Sequence, residues 1–125
     1  MSFDIFLQAF DGGSLLDTAA ILEELAPYLK PNLETLRTDD GEADVYGLDN
    51  DPIRHLMFNH VGGRIAWDII FSLAQRCGWV IMPVDCPICL THRDQLSSVP
   101  TELLDEFPVV VVRSGSELLA VILDS

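Results

Sequence analysis

The alternation of apolar and polar residues predicts a β-strand near the start of the chain. Residues 3–10 place Phe3 and every second residue after it on one wholly apolar face. The opposite face is mixed and carries Phe6 and Phe10, which therefore need cover from elsewhere in the chain or from a partner. The Asp-Gly-Gly segment at residues 11–13 predicts the end of this strand.

The hydrophobic pattern predicts a helix next. Ser14 and Asp17 have the spacing of a capping box, and apolar residues recur after them at helical intervals. Pro27 does not fit a helix interior, because it lacks an N–H group and its ring clashes with the preceding turn. The regular helix is therefore expected to end near Leu25 or Ala26.

Residues 33–48 have the alternating pattern of a β-hairpin around a turn-forming Asp-Asp-Gly segment. A two-residue turn at Asp40-Gly41 predicts that Arg37 lies opposite Asp44. The same alternation predicts a buried face that comprises Leu36, Ala43 and Val45.

The largest apolar segment of the chain follows a further predicted strand at residues 53–61. Gly62-Gly63 opens a helix with an apolar stripe, and Gly78 is its expected C-terminal cap. Trp79–Val84 is then a nearly continuous apolar run, which is typical of a strand buried on both faces.

The order of these elements indicates the fold class. Through residue 84 the order is β-α-β-β(-β)-α-β, where the bracketed strand is the one at residues 53–61. This resembles the β-α-β-β-α-β order of a ferredoxin-like sandwich, and the tail after His92 predicts a helix-strand-helix extension. The sequence has no repeat or linker, so we expect residues 1–125 to form a single α+β domain. The helices of such a sandwich leave one sheet face open. We therefore expect either the C-terminal extension or a second subunit, in a homodimer, to cover Phe6 and Phe10.

Composition and charge limit the class of protein and the kinds of partner that it can bind. Hydrophobic residues make up 49% of the chain, which excludes disorder, and no apolar run approaches the ~18 residues of a membrane span. Twenty acidic residues against seven basic ones give a net charge of −13, so we expect no nucleic-acid partner and a basic protein partner instead. No basic residue precedes Lys30, unlike a secretory signal, so the three cysteines are expected to be reduced thiols in the cytoplasm.

Cys86-Pro87-Ile88-Cys89 is the sharpest chemical motif. The CPxC pattern resembles the redox motif of glutaredoxin-like proteins, which implies a thioredoxin fold in which the second cysteine continues into a long helix. A cis-proline loop comes later in that fold. Here Val99-Pro100 follows Cys89 by only ten residues, which is too short for the intervening helix and strand. The spacing excludes that fold and leaves a thiol switch open.

The same segment also suggests a metal site. Cys86, Cys89 and His92 supply three zinc ligands, whereas structural zinc almost always takes four. The fourth ligand would have to be Cys77, a histidine or an acidic side chain. A zinc site, a reversible thiol pair and an incidental pair of turn cysteines all remain open at this point.

Two other groups of residues are candidate binding sites. Gly62-Gly63-Arg64 could hold an anion on the free N–H groups of a helix start, although two glycines also serve simply to make the turn. An acidic cluster could contact a partner or form a solvated turn; it comprises Asp39, Asp40, Glu42, Asp44, Asp49 and Asp51.

The sequence contains no legible catalytic constellation. We therefore predict a small acidic cytoplasmic protein-binding domain, such as an immunity-type inhibitor or an adaptor, that engages a basic partner without catalysis. The alternative prediction, from another class, is a thiol-redox or zinc-binding protein that uses the Cys86–Cys89 motif.

Overall fold

A computed structural model of the protein describes residues 3–10 and 14–125, so the turn predicted at residues 11–13 lies outside the described residues. The strands of the described residues are β1 (Ile5–Gln8), β2 (Thr35–Arg37), β3 (Glu42–Tyr46), β4 (His55–Asn59), β5 (Val80–Pro83), β6 (Ile88–Leu90) and β7 (Val109–Val111). The helices are α1 (Thr18–Leu25), α2 (Ile65–Cys77), α3 (Thr101–Glu106) and α4 (Gly115–Leu123), with a 3-10 helix at Arg93–Ser98.

The strands form one seven-stranded sheet in the order β2-β3-β4-β1-β5-β6-β7. Neighbouring strands are antiparallel except for β6 and β7, which are parallel. The mixed α+β class is therefore confirmed, whereas the specific ferredoxin-like fold is not. Three strands lie between α1 and α2, as the hairpin and the strand at residues 53–61 predict, whereas a ferredoxin-like order has two there. The strands β6 and β7 also extend the sheet beyond β5.

The helix ends follow from local chemistry. The α1 helix begins one residue after Asp17, whose carboxylate accepts a hydrogen bond from the Ala20 amide at 2.8 Å, so Asp17 is the cap rather than Ser14. The α1 helix ends at Leu25, as Pro27 predicts. The α2 helix ends at Cys77, and Gly78 caps it in the left-handed conformation with φ 76°, as the sequence predicts.

The β2–β3 hairpin has a different register from the predicted one. Arg37 lies opposite Glu42 rather than Asp44, so the turn has four residues, Thr38–Gly41, instead of two. Thr38 holds this turn, because both its amide and its hydroxyl donate to the Gly41 carbonyl, at 2.8 and 3.0 Å. The shift is two residues, which keeps every side chain on its face. The predicted buried face is therefore confirmed for Leu36, Ala43 and Val45.

The two faces of the sheet are covered unequally. The main core lies on the face covered by α1, α2 and α4, and it runs from Leu36 on β2 to Val112 just after β7. A second, smaller core lies on the opposite face, where Leu103, Leu104 and Phe107 of the α3 region pack over β5, β6 and β7. The second core leaves β3, β4 and β1 without a comparable layer on that face.

The C-terminal part contains the predicted helix-strand-helix succession, α3-β7-α4. Ser114 caps α4, since its hydroxyl accepts the Glu117 amide at 3.1 Å. The strand β6 and the 3-10 helix were not predicted. Among the described residues, no helix combines the length and the apolar character needed to cross a membrane.

Candidate functional site

An apolar row crosses the incompletely covered face of the sheet. Tyr46 on β3 pairs with Met57 on β4, Met57 pairs with Phe6 on β1, and Phe6 pairs with Met82 on β5. We call these four residues the apolar row. Phe6 is 42% exposed and Tyr46 is 44% exposed, which is unusual for large apolar side chains on a sheet. Phe10, which was predicted to need cover together with Phe6, is packed against the second core.

A polar row lies beside the apolar row on the same face. Three polar residues lie two positions along their strands from members of the apolar row: Asp44, Asn59 and Asp4. The side-chain amide of Asn59 donates a hydrogen bond to the Asp4 carboxylate at 3.2 Å. His60 follows β4 in a left-handed conformation with φ 51°, and its Nδ1 is hydrogen-bonded to Asp44 Oδ2 at 2.8 Å. The strand predicted at residues 53–61 is shorter in the structure, since β4 spans His55–Asn59 and His60 lies beyond its end.

A groove of about 280 Å³ lies at the α3 end of the apolar row. We call it the α3 groove; it is lined by Phe6, Met82, Pro83, Val84, Asp85, Cys86, Ile88, Leu103 and Phe107. The β5–β6 turn forms one wall and α3 forms the other. Its walls are apolar, while Asp85 at the turn and Glu102 and Glu106 on α3 are exposed to solvent.

The predicted acidic cluster is divided in the structure. Asp39, Asp40 and Glu42 lie at the start of β3, Asp44 lies within the strand, and Asp49 and Asp51 follow its end. Since β3 spans five residues, or roughly 16 Å, they do not form one patch. Glu42 is paired with Lys30 at 2.7 Å, and the Lys30 ammonium lowers the pKa of the Glu42 carboxyl. Asp39, Asp49 and Asp51 are exposed. From the residues described, namely 3–10 and 14–125, the carboxylates of these three members accept no hydrogen bond.

The predicted anion position at Gly62-Gly63-Arg64 receives an anion from the protein itself. The Asp40 carboxylate accepts the Arg64 amide at 2.7 Å and lies 3.4 Å from the Ile65 amide. This backbone hydrogen bond from Arg64 lowers the pKa of Asp40. Gly63 has φ 79° and packs directly against Asp40, so the glycines serve the close approach of the hairpin turn to α2.

The cysteines of the CPIC motif are buried. Cys86 lies in the β5–β6 turn and is 5% exposed, while Cys89 lies in β6 and is fully buried. Desolvation, with a smaller contribution from Cys86, raises the pKa of the Cys89 thiol to about 12. Burial likewise raises the pKa of Cys77. Such thiols carry little thiolate at neutral pH and are poor nucleophiles.

The metal hypothesis gains no geometric support. His92 is exposed at the start of the 3-10 helix, and its amide donates to Gln95 Oε1 at 3.2 Å. Within residues 3–10 and 14–125, no group of three or more His, Cys, Asp or Glu side chains is placed to hold a metal ion.

A wider depression of about 620 Å³ lies between the start of α1 and the β3–β4 loop. Its charged residues are Asp17, Asp51 and Arg54, and Asp17 is already engaged as the helix cap. Because the depression contains both acidic and basic side chains, and Asp17 already caps α1, it does not favour a ligand of either charge. The sheet face with the α3 groove is the stronger candidate.

Sequence reasoning identified Phe6 but missed the rest of the apolar row. The alternation within β1, β3 and β4 predicts which face of its own strand each residue occupies. Their alignment in one row depends on the order and register of the strands, which the alternation does not predict. The α3 groove was missed because its second wall comes from a helix about twenty residues further along the chain.

Comparison of the chain with protein-family models, with curated proteins and with solved structures finds no match.

Proposed function

We propose that this is a binding protein that engages a basic partner protein through the sheet face carrying the apolar row, and that it has no catalytic role. An immunity-type inhibitor or an adaptor fits this description. The observation that carries the proposal is the exposure of Phe6 and Tyr46 in one row, with the carboxylates of Asp4 and Asp44 beside them.

The physical argument combines two terms. When a partner covers exposed apolar side chains, their removal from water favours binding by about 25 cal/mol per Å² of apolar surface buried. The neighbouring carboxylates and the net charge of −13 favour a cationic partner and speed its encounter with the protein. An apolar centre with a charged rim is the usual layout of a protein-binding surface.

The test is binding of a synthetic peptide of alternating leucine and lysine, measured by fluorescence anisotropy at ionic strengths of about 0.05 M and 0.5 M. We expect the dissociation constant to rise at least about tenfold at the higher salt concentration, because the charges are then screened. The double variant Asp4→Asn/Asp44→Asn should weaken binding at low salt.

The matched control is Glu117→Gln/Asp124→Asn, which removes the same charge from α4 on the opposite face of the sheet. The proposal fails if salt has no effect on binding, or if the two double variants weaken binding equally.

Two structural expectations also remain proposals. We infer that the β1-to-β5 part is a ferredoxin-like arrangement with one added strand, since α2 joins β4 to β5 and β1 lies between them. A cytoplasmic location is supported by three free cysteines without a disulfide.

The thiol-redox or zinc alternative rests on Cys86, which lines the α3 groove three residues before Cys89. The burial of both thiols argues against it, and His92 does not join them in a metal-binding group among the described residues.

A further inference from the structure

We propose that the α3 groove is the anchor pocket of the binding surface, and that it accepts one apolar side chain from a cationic segment of the partner protein. This inference rests on the proposed function and specifies which part of the partner the protein recognises.

The size of the groove favours a side chain over a free small molecule. Its volume of about 280 Å³ lies just below the range of roughly 300–1,000 Å³ that is typical of small-molecule pockets. Phe6, Leu103 and Phe107 supply apolar walls, and Val84 at the mouth is 41% exposed. Pockets of this kind hold the few apolar anchors that dominate the affinity of protein interfaces.

The charge around the groove favours a cationic segment. Between Trp79 and Phe107 the chain has five acidic residues and one basic residue, Arg93, which gives this region a net charge of −4. Asp85 in the β5–β6 turn lines the groove, and Glu102 and Glu106 on α3 directly precede the wall residues Leu103 and Phe107; all three acidic residues are exposed. A lysine or arginine beside the anchoring side chain would find a carboxylate at the rim.

The same charges disfavour other occupants. A homodimer would join two chains that each carry a net charge of −13 and would place their acidic groove rims face to face, which costs free energy. The homodimer through the face carrying Phe6 and Phe10 is therefore a weaker hypothesis, and Phe10 is already covered by the second core. An anionic lipid surface or a phosphate polymer would be repelled in the same way.

The groove is continuous with the apolar row. Phe6 and Met82 belong to both, and the row extends from the groove across three strand intervals, or roughly 14 Å, to Tyr46. A segment that anchors one side chain in the groove can therefore lay further apolar side chains along the row, while its lysines or arginines reach Asp4 and Asp44.

The experiment uses the leucine–lysine peptide and two comparison peptides, a serine–lysine peptide of the same charge and a leucine–glutamate peptide. The test variant is Val84→Arg, which places a long cationic side chain at the mouth of the groove. Its control is Leu123→Arg, which makes the same charge change at a residue that is 71% exposed on α4. Thermal unfolding of both variants checks that they fold, as expected for exposed positions.

We expect Val84→Arg to raise the dissociation constant of the leucine–lysine peptide about tenfold, the loss typical of a blocked anchor, and Leu123→Arg to change it less than about twofold. The serine–lysine peptide should bind at least about tenfold more weakly, and the leucine–glutamate peptide should not bind. Amide chemical-shift changes on peptide addition should concentrate at residues 82–88 and 103–107.

The outcomes separate the two proposals. If salt-sensitive binding survives and the two arginine variants behave alike, the anchor pocket is overturned and the proposed function stands. If the leucine–lysine peptide does not bind at low salt, the proposed function fails as well. If the protein sediments as a dimer that Val84→Arg dissociates, the occupant is a second copy and the inference of a cationic partner is overturned.

Discussion

The reactivity of the three thiols gives the most direct test of the thiol alternative. At pH 7 a thiol with the ordinary pKa of 9.0 is about 1% thiolate, whereas a thiol with a pKa of about 12 is thiolate in only about one molecule in 100,000. Cys89 should therefore react with an alkylating reagent about 1,000-fold more slowly in the folded protein than in the unfolded chain. Its burial slows the reaction further.

The assay is alkylation with iodoacetamide at pH 7, with and without urea, followed by mass spectrometry of the labelled peptides. We expect urea to expose all three cysteines to rapid labelling, whereas Cys77 and Cys89 remain unlabelled in the native protein. Because folding raises the pKa of Cys89, the stability that depends on its protonated form is present below the ordinary thiol pKa and is lost as the pH rises towards 12. The native reaction must therefore be measured near neutral pH.

Labelling of native Cys89 at a rate close to that in urea would show that this thiol is reactive in the folded protein, contrary to the expectation. This expectation would also be refuted if mild oxidation joined Cys86 to Cys89 in protein that stays folded by circular dichroism. The Cys86→Ser and Cys77→Ser variants assign the labelled site, since each removes one thiol and leaves Cys89 in place.

Two further substitutions test local features of the fold. Asp40→Asn should lower the free energy of unfolding relative to Asp39→Asn, because Asp40 caps α2. Folding lowers the pKa of Asp40, so this difference should be present above the ordinary carboxyl pKa of 3.8 and disappear as acid protonates the folded carboxyl. Equal urea midpoints for both variants at pH 7 would contradict the capping role. Gly115→Ala should destabilise the protein by about 1–3 kcal/mol, because an added Cβ would lie 2.6 Å from the Asp68 nitrogen. Gly62→Ala, whose nearest contact is 3.5 Å, is the control, and equal melting temperatures would argue against the close contact.

The parts of the fold that could be predicted depend on local sequence. Pro27 and Gly78 mark the ends of α1 and α2 because their effects on the backbone act within a turn or two. The buried face of the hairpin follows from simple alternation, which survives a register shift of two residues. The order of the predicted elements was enough to predict the mixed α+β class.

The parts that could not be predicted depend on contacts between distant residues. The hairpin turn has four residues in part because Asp40 is engaged with the start of α2, 24 residues away, and nothing near Asp40 indicates that partner. The three-residue strand β6 is too short for a periodic signal, and it exists because β5 and β7 flank it. The candidate site depends on both local alternation and long-range contacts. Alternation along β1 identified Phe6, whereas the groove beside it requires α3, which is distant in sequence.

The parallel pairing of β6 and β7 has a mechanical consequence for the groove. Parallel neighbours require a crossover connection, and here it runs through residues 91–108 and includes α3, which carries Leu103 of the groove wall. Both ends of this crossover are tied to the sheet, by the Ile88 amide to the Pro108 carbonyl and by the Val112 amide to the Leu90 carbonyl. A large outward movement of this wall would therefore pull on the hydrogen bonds that hold β7 at the edge of the sheet, so widening of the groove is coupled to the pairing of the last strand.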